Sequence, residues 1–416
     1  MVNLEVPDAG EVADHDGPRP TVQVKYVDTN DGGLWVTWRW EHALDRPRIW
    51  GIQPPQVAGA LDAFRQALPT PGSGETVRDA LRRSWRVLGD AMRERQVSGA
   101  LAAALVPAPL GAELDQFLLR GKRPHLRIQA SPALAAVPWE ALRADDGGRL
   151  VQSCDVSGLL PASVRGSAAR LVTPPRPGGT VVATVNPVVP GEIDGLGPVT
   201  RRSEPLLESM LAALGDRLRG PAEGPVRSHV NREQLREMLA TAARYLYVGH
   251  ARSGAYALAT SLHLTDGPEA QGRAPLVGGL HRPLTAADIA LDGSWVVPSR
   301  VALLACASGG DAAYADPAGL VAAFTMRGAE YVTAARWTLP TDAGVEMLAT
   351  ASGPDPDATP AQNLARAVVA VDAAHESTDP VATLGAWQRD QADAWDRTGD
   401  PAYSPVVWAA LTTAWS

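Results

Sequence analysis

The chain of 416 residues is 45% hydrophobic and 20% charged, ordinary globular values that allow one large α/β unit with a smaller flanking region. Its net charge of −8 and dispersed basic residues exclude an electrostatic footprint for nucleic acid, and with Lys25 and Lys122 as the sole lysines there is little scope for lysine catalysis. Two cysteines exclude a disulfide framework, and a polar, acidic start with no apolar run of spanning length predicts a cytoplasmic protein without membrane contact.

In chain order, residues 21–26 and 34–40 alternate apolar with polar around Asn30-Asp-Gly-Gly33, the pattern of a β-hairpin. Residues 56–68 form an amphipathic helix broken by Pro69-Thr-Pro-Gly-Ser-Gly74. A second helix over 75–96 sets Val77, Leu81, Trp85, Leu88 and Met92 on one stripe. Residues 125–129 read as a strand, and Val137-Pro-Trp-Glu-Ala-Leu142 as a short helix with Pro138 in its first turn. Another buried strand covers 180–185, with helices at 204–218 and 232–243 after it. Strands alternating with helices of this length predict βαβ units and a largely parallel sheet. The Pro/Gly-rich stretch 265–283 reads as an exposed loop, with Arg273 at its middle as a processing site. A short helix follows at 284–289, another helix at 317–326 and a strand at 329–334.

Two apolar runs end in reactive side chains. Residues 244–249 deliver His250, and residues 300–305 deliver Cys306, which Ala307-Ser308-Gly309-Gly310 follows. Short runs rich in Val, Leu and Tyr that stop at small residues are how buried parallel strands read. Side by side, they bring His250 and Cys306 out together at their carboxyl ends, where open α/β sheets place their sites. A thiol and an imidazole meeting there are the minimal kit for nucleophilic cysteine catalysis. Cys154 has no such setting and reads as a packing residue. The eight histidines show no metal-ligand spacing, so no metal or cofactor is expected.

Six segments in this order resemble the CHAT domain, the bacterial branch of the caspase and separase clan of cysteine peptidases. They are Val137-Pro-Trp-Glu-Ala-Leu142, Val248-Gly-His250, Leu284-Thr-Ala-Ala-Asp-Ile289, Leu303-Leu-Ala-Cys306-Ala-Ser-Gly309, Val332-Thr-Ala-Ala-Arg-Trp337 and the closing strand Pro405-Val-Val-Trp-Ala-Ala-Leu411. The resemblance implies an α/β fold with a caspase-like, mostly parallel sheet flanked by helices. It divides the chain into an amino-terminal hairpin with amphipathic helices (1–100) and a CHAT peptidase domain (101–416). The spacing of 56 residues between His250 and Cys306 lies near the roughly fifty typical of caspases.

The resemblance also implies roles. Cys306 is the nucleophile, His250 the base and then the acid, and the backbone N–H groups of Ala251 and Cys306 form the oxyanion hole. Trp337 stands at the family's pocket wall, and Asp311, Asp316 and Asp342 are placed to read a basic substrate residue. The substrate is a partner protein, cut by a regulated effector of bacterial defence or cell death, with a separate activator protein supplying regulation. Two residues depart from the family pattern: Ala251 stands where the family has glycine, and Ala307 where it has an acid. Alanine keeps the N–H but disfavours the φ > 0 conformations open to glycine. Ala251 therefore also fits an alternative, a catalytically inactive caspase-like scaffold or sensor that binds partner proteins.

Overall fold

The computed structural model describes residues 19–72, 74–144, 147–191, 193–201, 203–220, 227–314, 319–350 and 361–416. Its spine is one eleven-stranded sheet. In chain order the strands are β1 Thr21–Asp28, β2 Leu34–Trp40, β3 Arg48–Ile52, β4 His125–Gln129, β5 Asp155–Leu159, β6 Val181–Val185, β7 Leu218–Arg219, β8 Arg244–Val248, β9 Arg300–Leu304, β10 Tyr331–Ala335 and β11 Leu411–Trp415. Across the sheet they run β3-β2-β1-β4-β5-β11-β10-β9-β8-β6-β7. β1 and β2, β2 and β3, and β10 and β11 pair antiparallel, while the other neighbours are parallel. The α/β class with a mostly parallel sheet is thus as the sequence predicts.

The amino-terminal hairpin belongs to this sheet. β1 pairs parallel with β4, from Thr21 opposite His125 to Lys25 opposite Gln129. The expected boundary at residue 100 falls inside the helix Ala91–Leu105, so it is not a break in the fold. Alternation along β2 sorts its tryptophans. Trp38 and Trp40 are buried and both donate Nε1–H to Glu113 (2.9 and 2.7 Å), whereas Trp35 faces outward.

Several predicted elements shift, each for a local reason. The helix expected over 75–96 is two helices, Val77–Leu88 and Ala91–Leu105. Gly89 ends the first, and the Asp90 carboxylate caps the second by accepting from Met92 and Arg93 N–H at 3.0 Å each. The closing segment starts as a short helix, Pro405–Trp408, because Ser404 caps it and Pro405 sits at its first position; the strand begins only at Leu411. The helix expected from 317 is seen as Leu320–Met326, residues 317 and 318 lying outside the described ones.

The stretch 265–283 is not simply an exposed loop. The Arg232 guanidinium donates to the Asp266 carboxylate at 2.9 Å and to the carbonyls of Gln271, Arg282 (2.8 Å) and Pro283 (3.1 Å). His281 inside it is fully buried, while the Arg273 side chain remains exposed. Among the described residues no single helix is long and apolar enough to cross a membrane.

Candidate active site

β8 and β9 lie side by side, parallel and in register from Arg244 opposite Arg300 to Val248 opposite Leu304. Two residues past the last pair, each strand reaches its reactive side chain, and the Gly249 N–H still donates to the Leu304 carbonyl at 3.3 Å. His250 and Cys306 line one cavity of about 840 Å³ at the carboxyl ends of these strands. Identical counting from a shared register is what brings two residues far apart in sequence to one rim.

A third strand orients the imidazole. β6 flanks β8 and is followed by Asn186, whose N–H donates to the Val248 carbonyl at 2.8 Å. Asn186 has φ of 46°, a left-handed conformation that asparagine tolerates better than most residues. Its side-chain oxygen accepts from Val199 N–H (2.8 Å) and Thr200 N–H (3.2 Å), closing the loop that starts there. That closure presents the Gly197 carbonyl to His250, which donates Nε2–H to it at 2.6 Å. A carbonyl can only accept, so Nε2 carries the proton and Nδ1 holds the lone pair of the neutral ring. Nothing in the sequence reading pointed to Gly197. Its signal is the breaker-rich run Gly195-Leu-Gly-Pro198 in the connection that follows a buried strand, which reads as a spacer until the neighbouring strand is known.

The histidine backbone is fixed from below. The Tyr247 hydroxyl is fully buried, 2.7 Å from the His250 carbonyl and 2.9 Å from that of His263, and it accepts the His263 N–H at 3.2 Å. Gly249 is required here, since a Cβ at that position would meet the Tyr247 oxygen at 2.8 Å. Tyr247→Phe is expected to destabilise the chain by about 1–3 kcal/mol, because the buried His250 and His263 carbonyls lose the single hydroxyl proton they share. Urea unfolding measures it, as a lowered midpoint with the slope unchanged.

The turn after Cys306 is held equally firmly. The Ala307 N–H donates to the Trp337 carbonyl (2.9 Å) and the Gly309 N–H to Ala335 (2.8 Å). The Ser308 hydroxyl donates to the Leu303 carbonyl (2.6 Å) and accepts from Ala335 N–H (3.1 Å). Gly309 sits so close to β10 that a Cβ would lie 3.1 Å from the Ala334 methyl. Ala307 carries the strain, with φ of 49°. A left-handed alanine stores of order 1–2 kcal/mol, the kind of outlier that accompanies a working turn.

Electrostatics keep both groups neutral at rest. Burial pushes the Cys306 thiol up, only partly offset by backbone hydrogen bonding from Leu339 and from Cys306 itself; the thiol lies 3.8 Å from the Leu339 carbonyl, an acceptor for its proton. Burial likewise pushes the His250 imidazole down, only partly offset by the Gly197 hydrogen bond. Cys154, fully buried, has its thiol raised to about 12 and is inert.

Ala251 starts a short strand, Ala251–Arg252, that pairs antiparallel with Ser261–Leu262, Ala251 opposite Leu262. The His263 N–H donates to the His250 carbonyl at 3.2 Å, which makes 250 and 263 the hydrogen-bonded pair. The adjacent pair is then a non-hydrogen-bonded one, so the Ala251 N–H points away from the partner strand. Ala251 does not have a positive φ, so its departure from glycine leaves this backbone unstrained.

Two of the residues expected at the substrate pocket, Trp337 and Asp342, are elsewhere. Trp337 is 1% exposed, donates Nε1–H to the Val406 carbonyl at 2.9 Å and packs edge-on against Phe64. Asp342 is buried and caps the helix Asn363–Glu376 from a distance, accepting from Leu364 (2.7 Å) and Ala365 (3.3 Å) N–H groups. Its burial pushes the carboxyl up to about 6. Neither lines the cavity around Cys306: one fills the core and the other ends a helix. Asp311 lies in the single turn Gly310–Ala313, and Asp316 falls outside the described residues.

Three of the segments quoted above meet in a structural knot beside the site. Arg336 and Glu140, both buried, form a two-pronged ion pair at 2.7 and 2.9 Å. Arg336 also reaches the Ala409 and Leu411 carbonyls (3.2 and 3.4 Å) and accepts nothing in return, as a guanidinium must. Trp139 packs on Tyr26 with ring centroids 4.9 Å apart. These motifs tie the turn after β10 to the rest of the sheet. Among the described residues no group of histidine, cysteine and acidic side chains is placed to hold a metal.

No curated protein matches the chain. Two solved structures of the Saccharomyces cerevisiae separase–securin complex are similar, with TM-scores of 0.47 and 0.45, each at 11% identity over 95% of this chain and 30% of that one. The complex of Porphyromonas gingivalis RgpB pro- and mature domains gives a TM-score of 0.38 at 11% identity, over 76% of this chain and 70% of that chain. The chain thus spans about a third of the separase chain, and likenesses this loose carry no argument about activity. The family match is of another kind, because it covers residues 95–415, most of the chain. The chain belongs to the CHAT-domain family.

Proposed function

We propose that this chain is a cysteine endopeptidase with Cys306 as nucleophile and His250 as general base, then general acid. The observation that carries the reading is the hydrogen bond from His250 Nε2–H to the Gly197 carbonyl. It is the third member that a nucleophile–base pair needs, since it fixes which nitrogen accepts a proton and stabilises the imidazolium that results. His250 Nδ1 takes the Cys306 proton, and the thiolate attacks a peptide carbonyl carbon. The oxyanion that forms is met by the Ala251 and Cys306 N–H groups, each such donor typically worth about 10²–10³ in rate. His250 then gives the proton to the departing amine, the C–N bond breaks, and a thioester to Cys306 remains. Water, deprotonated by the same imidazole, splits it and restores the thiol.

The substrate in this reading is a protein, and the setting is a reducing compartment in which Cys306 stays a thiol. The neutral resting pair fits a regulated effector of bacterial defence or cell death whose activator protein or substrate must bring the two groups into play. Incubation with a thiol-reactive peptidyl ketone tests the reading, with Cys306→Ala as the control. Selective labelling of Cys306 is expected. If Cys306 stays unlabelled even with an activator present, the chain is a scaffold rather than a peptidase.

A further inference from the structure

The cavity at Cys306 has a wall that the family match does not cover. Thr70, Pro71, Val77 and Leu81 line it, all from the segment before residue 95. Val77 and Leu81 are one helical turn apart on Val77–Leu88 and share a stripe. Val77 is 54% exposed, an apolar side chain left to water within the cavity of a candidate nucleophile.

That wall is held rigid. Arg83 donates to the Leu68 and Thr70 carbonyls at 3.0 and 3.1 Å and pairs with Glu75 at 2.9 Å, so the loop preceding the helix is strapped onto it. The apolar character continues around the reacting groups. Leu339, whose carbonyl sits by Cys306 Sγ, lines the same cavity, and so does Leu196, the neighbour of Gly197. Apart from the Cys306 thiol and the two imidazoles of His250 and His263, the ionisable groups on the described lining are Asp194 and Arg252, exposed and of opposite sign. His263 is held neutral, its imidazole pushed down to about 3 by burial and by the adjacent His281.

We infer that this amino-terminal wall forms the specificity subsite, and that the substrate residue beside the cut bond is bulky and apolar, a leucine, methionine or phenylalanine. The inference rests on the peptidase reading. Among the described residues no buried partner of opposite charge awaits an arginine or aspartate side chain that loses water in this cavity, whereas an apolar one covers Val77, Leu81 and Leu339.

Four peptidyl ketones that differ only at the residue next to the reactive group (Leu, Gly, Arg, Asp) test it on the full chain. Each labelling rate at Cys306 is divided by the iodoacetamide rate on the same variant, which removes general changes in thiol reactivity. The leucine probe is expected to lead the arginine and aspartate probes by about tenfold or more. Val77→Glu, at a half-exposed first helical position where an acid suits the helix dipole, is expected to bring leucine and glycine close to parity. Leu196→Ser, on the lining beside Gly197, is expected to act in the same direction. A lead for arginine or aspartate, or a leucine preference untouched by both variants, overturns the subsite alone. No labelling of Cys306 by any ketone, while iodoacetamide still reacts, overturns the peptidase reading and the subsite with it.

Discussion

Glu140→Ala is expected to lower the unfolding free energy by about 3–5 kcal/mol, the range for removing one partner of a buried ion pair. The pair with Arg336 sits within the protein, Glu140 at 1% and Arg336 at 8% exposure. Truncation leaves a guanidinium that cannot shed its proton in a place without water, with only the Ala409 and Leu411 carbonyls as neutral acceptors. The double variant Glu140→Ala, Arg336→Met is expected to recover a large part of the loss, since it removes the stranded charge as well as the bond. Equilibrium unfolding in urea of the two singles and the double measures the coupling directly. Additive losses would mean that the ion pair does not bind the two segments. Arg336 immediately precedes the turn that receives the Ala307 N–H, so the same variants are expected to loosen the Cys306 loop.

The second large effect concerns protons at the site. Burial raises the Cys306 thiol and lowers the His250 imidazole, so the unliganded chain holds neutral thiol and neutral imidazole near pH 7. Iodoacetamide reacts with thiolate, whose fraction grows as pH rises toward the thiol's raised value. Its rate on Cys306 is therefore expected to climb through pH 7 to 9.5 without levelling near neutrality. A level rate between pH 6 and 8 would instead report a standing thiolate–imidazolium pair and contradict this. Peptide cleavage needs His250 unprotonated, so its acidic limb is expected below the ordinary imidazole value of about 6.5. His250→Ala is expected to reduce kcat/KM for a peptide about 10²–10⁴-fold and to abolish that limb.

Part of this was legible in the chain. β6, β8 and β9 are largely buried on both faces and so carry near-continuous apolar runs, which makes them visible without any neighbour. β3 and β5 were not visible. β3 is a five-residue edge strand with exposed Ile49 and Trp50, and β5 contains Asp155 and Ser157, buried only because other side chains complete them. Asp155 meets Arg19 at 2.8 Å and Arg389 at 3.3 Å, partners 136 and 234 residues away. Polar positions neutralised at such separations look like surface in the sequence. The helices Asn363–Glu376 and Pro380–Thr398 are hard to read from sequence for a related reason: their buried faces include Asn363, Asp372, His375 and Gln388, which blur the apolar stripe.

The sequence by itself determined that two apolar runs end at His250 and Cys306, because strand period and turn residues are local properties of the backbone. It also determined that six segments stand in the family's order. The tertiary structure alone decided that β6 carries Gly197 to the imidazole, that Trp337 and Asp342 serve packing and capping, and that the amino-terminal helices wall the cavity. Each of these is a meeting of atoms distant in the chain, set by sheet order and register, and no local pattern encodes which strand lies next to which.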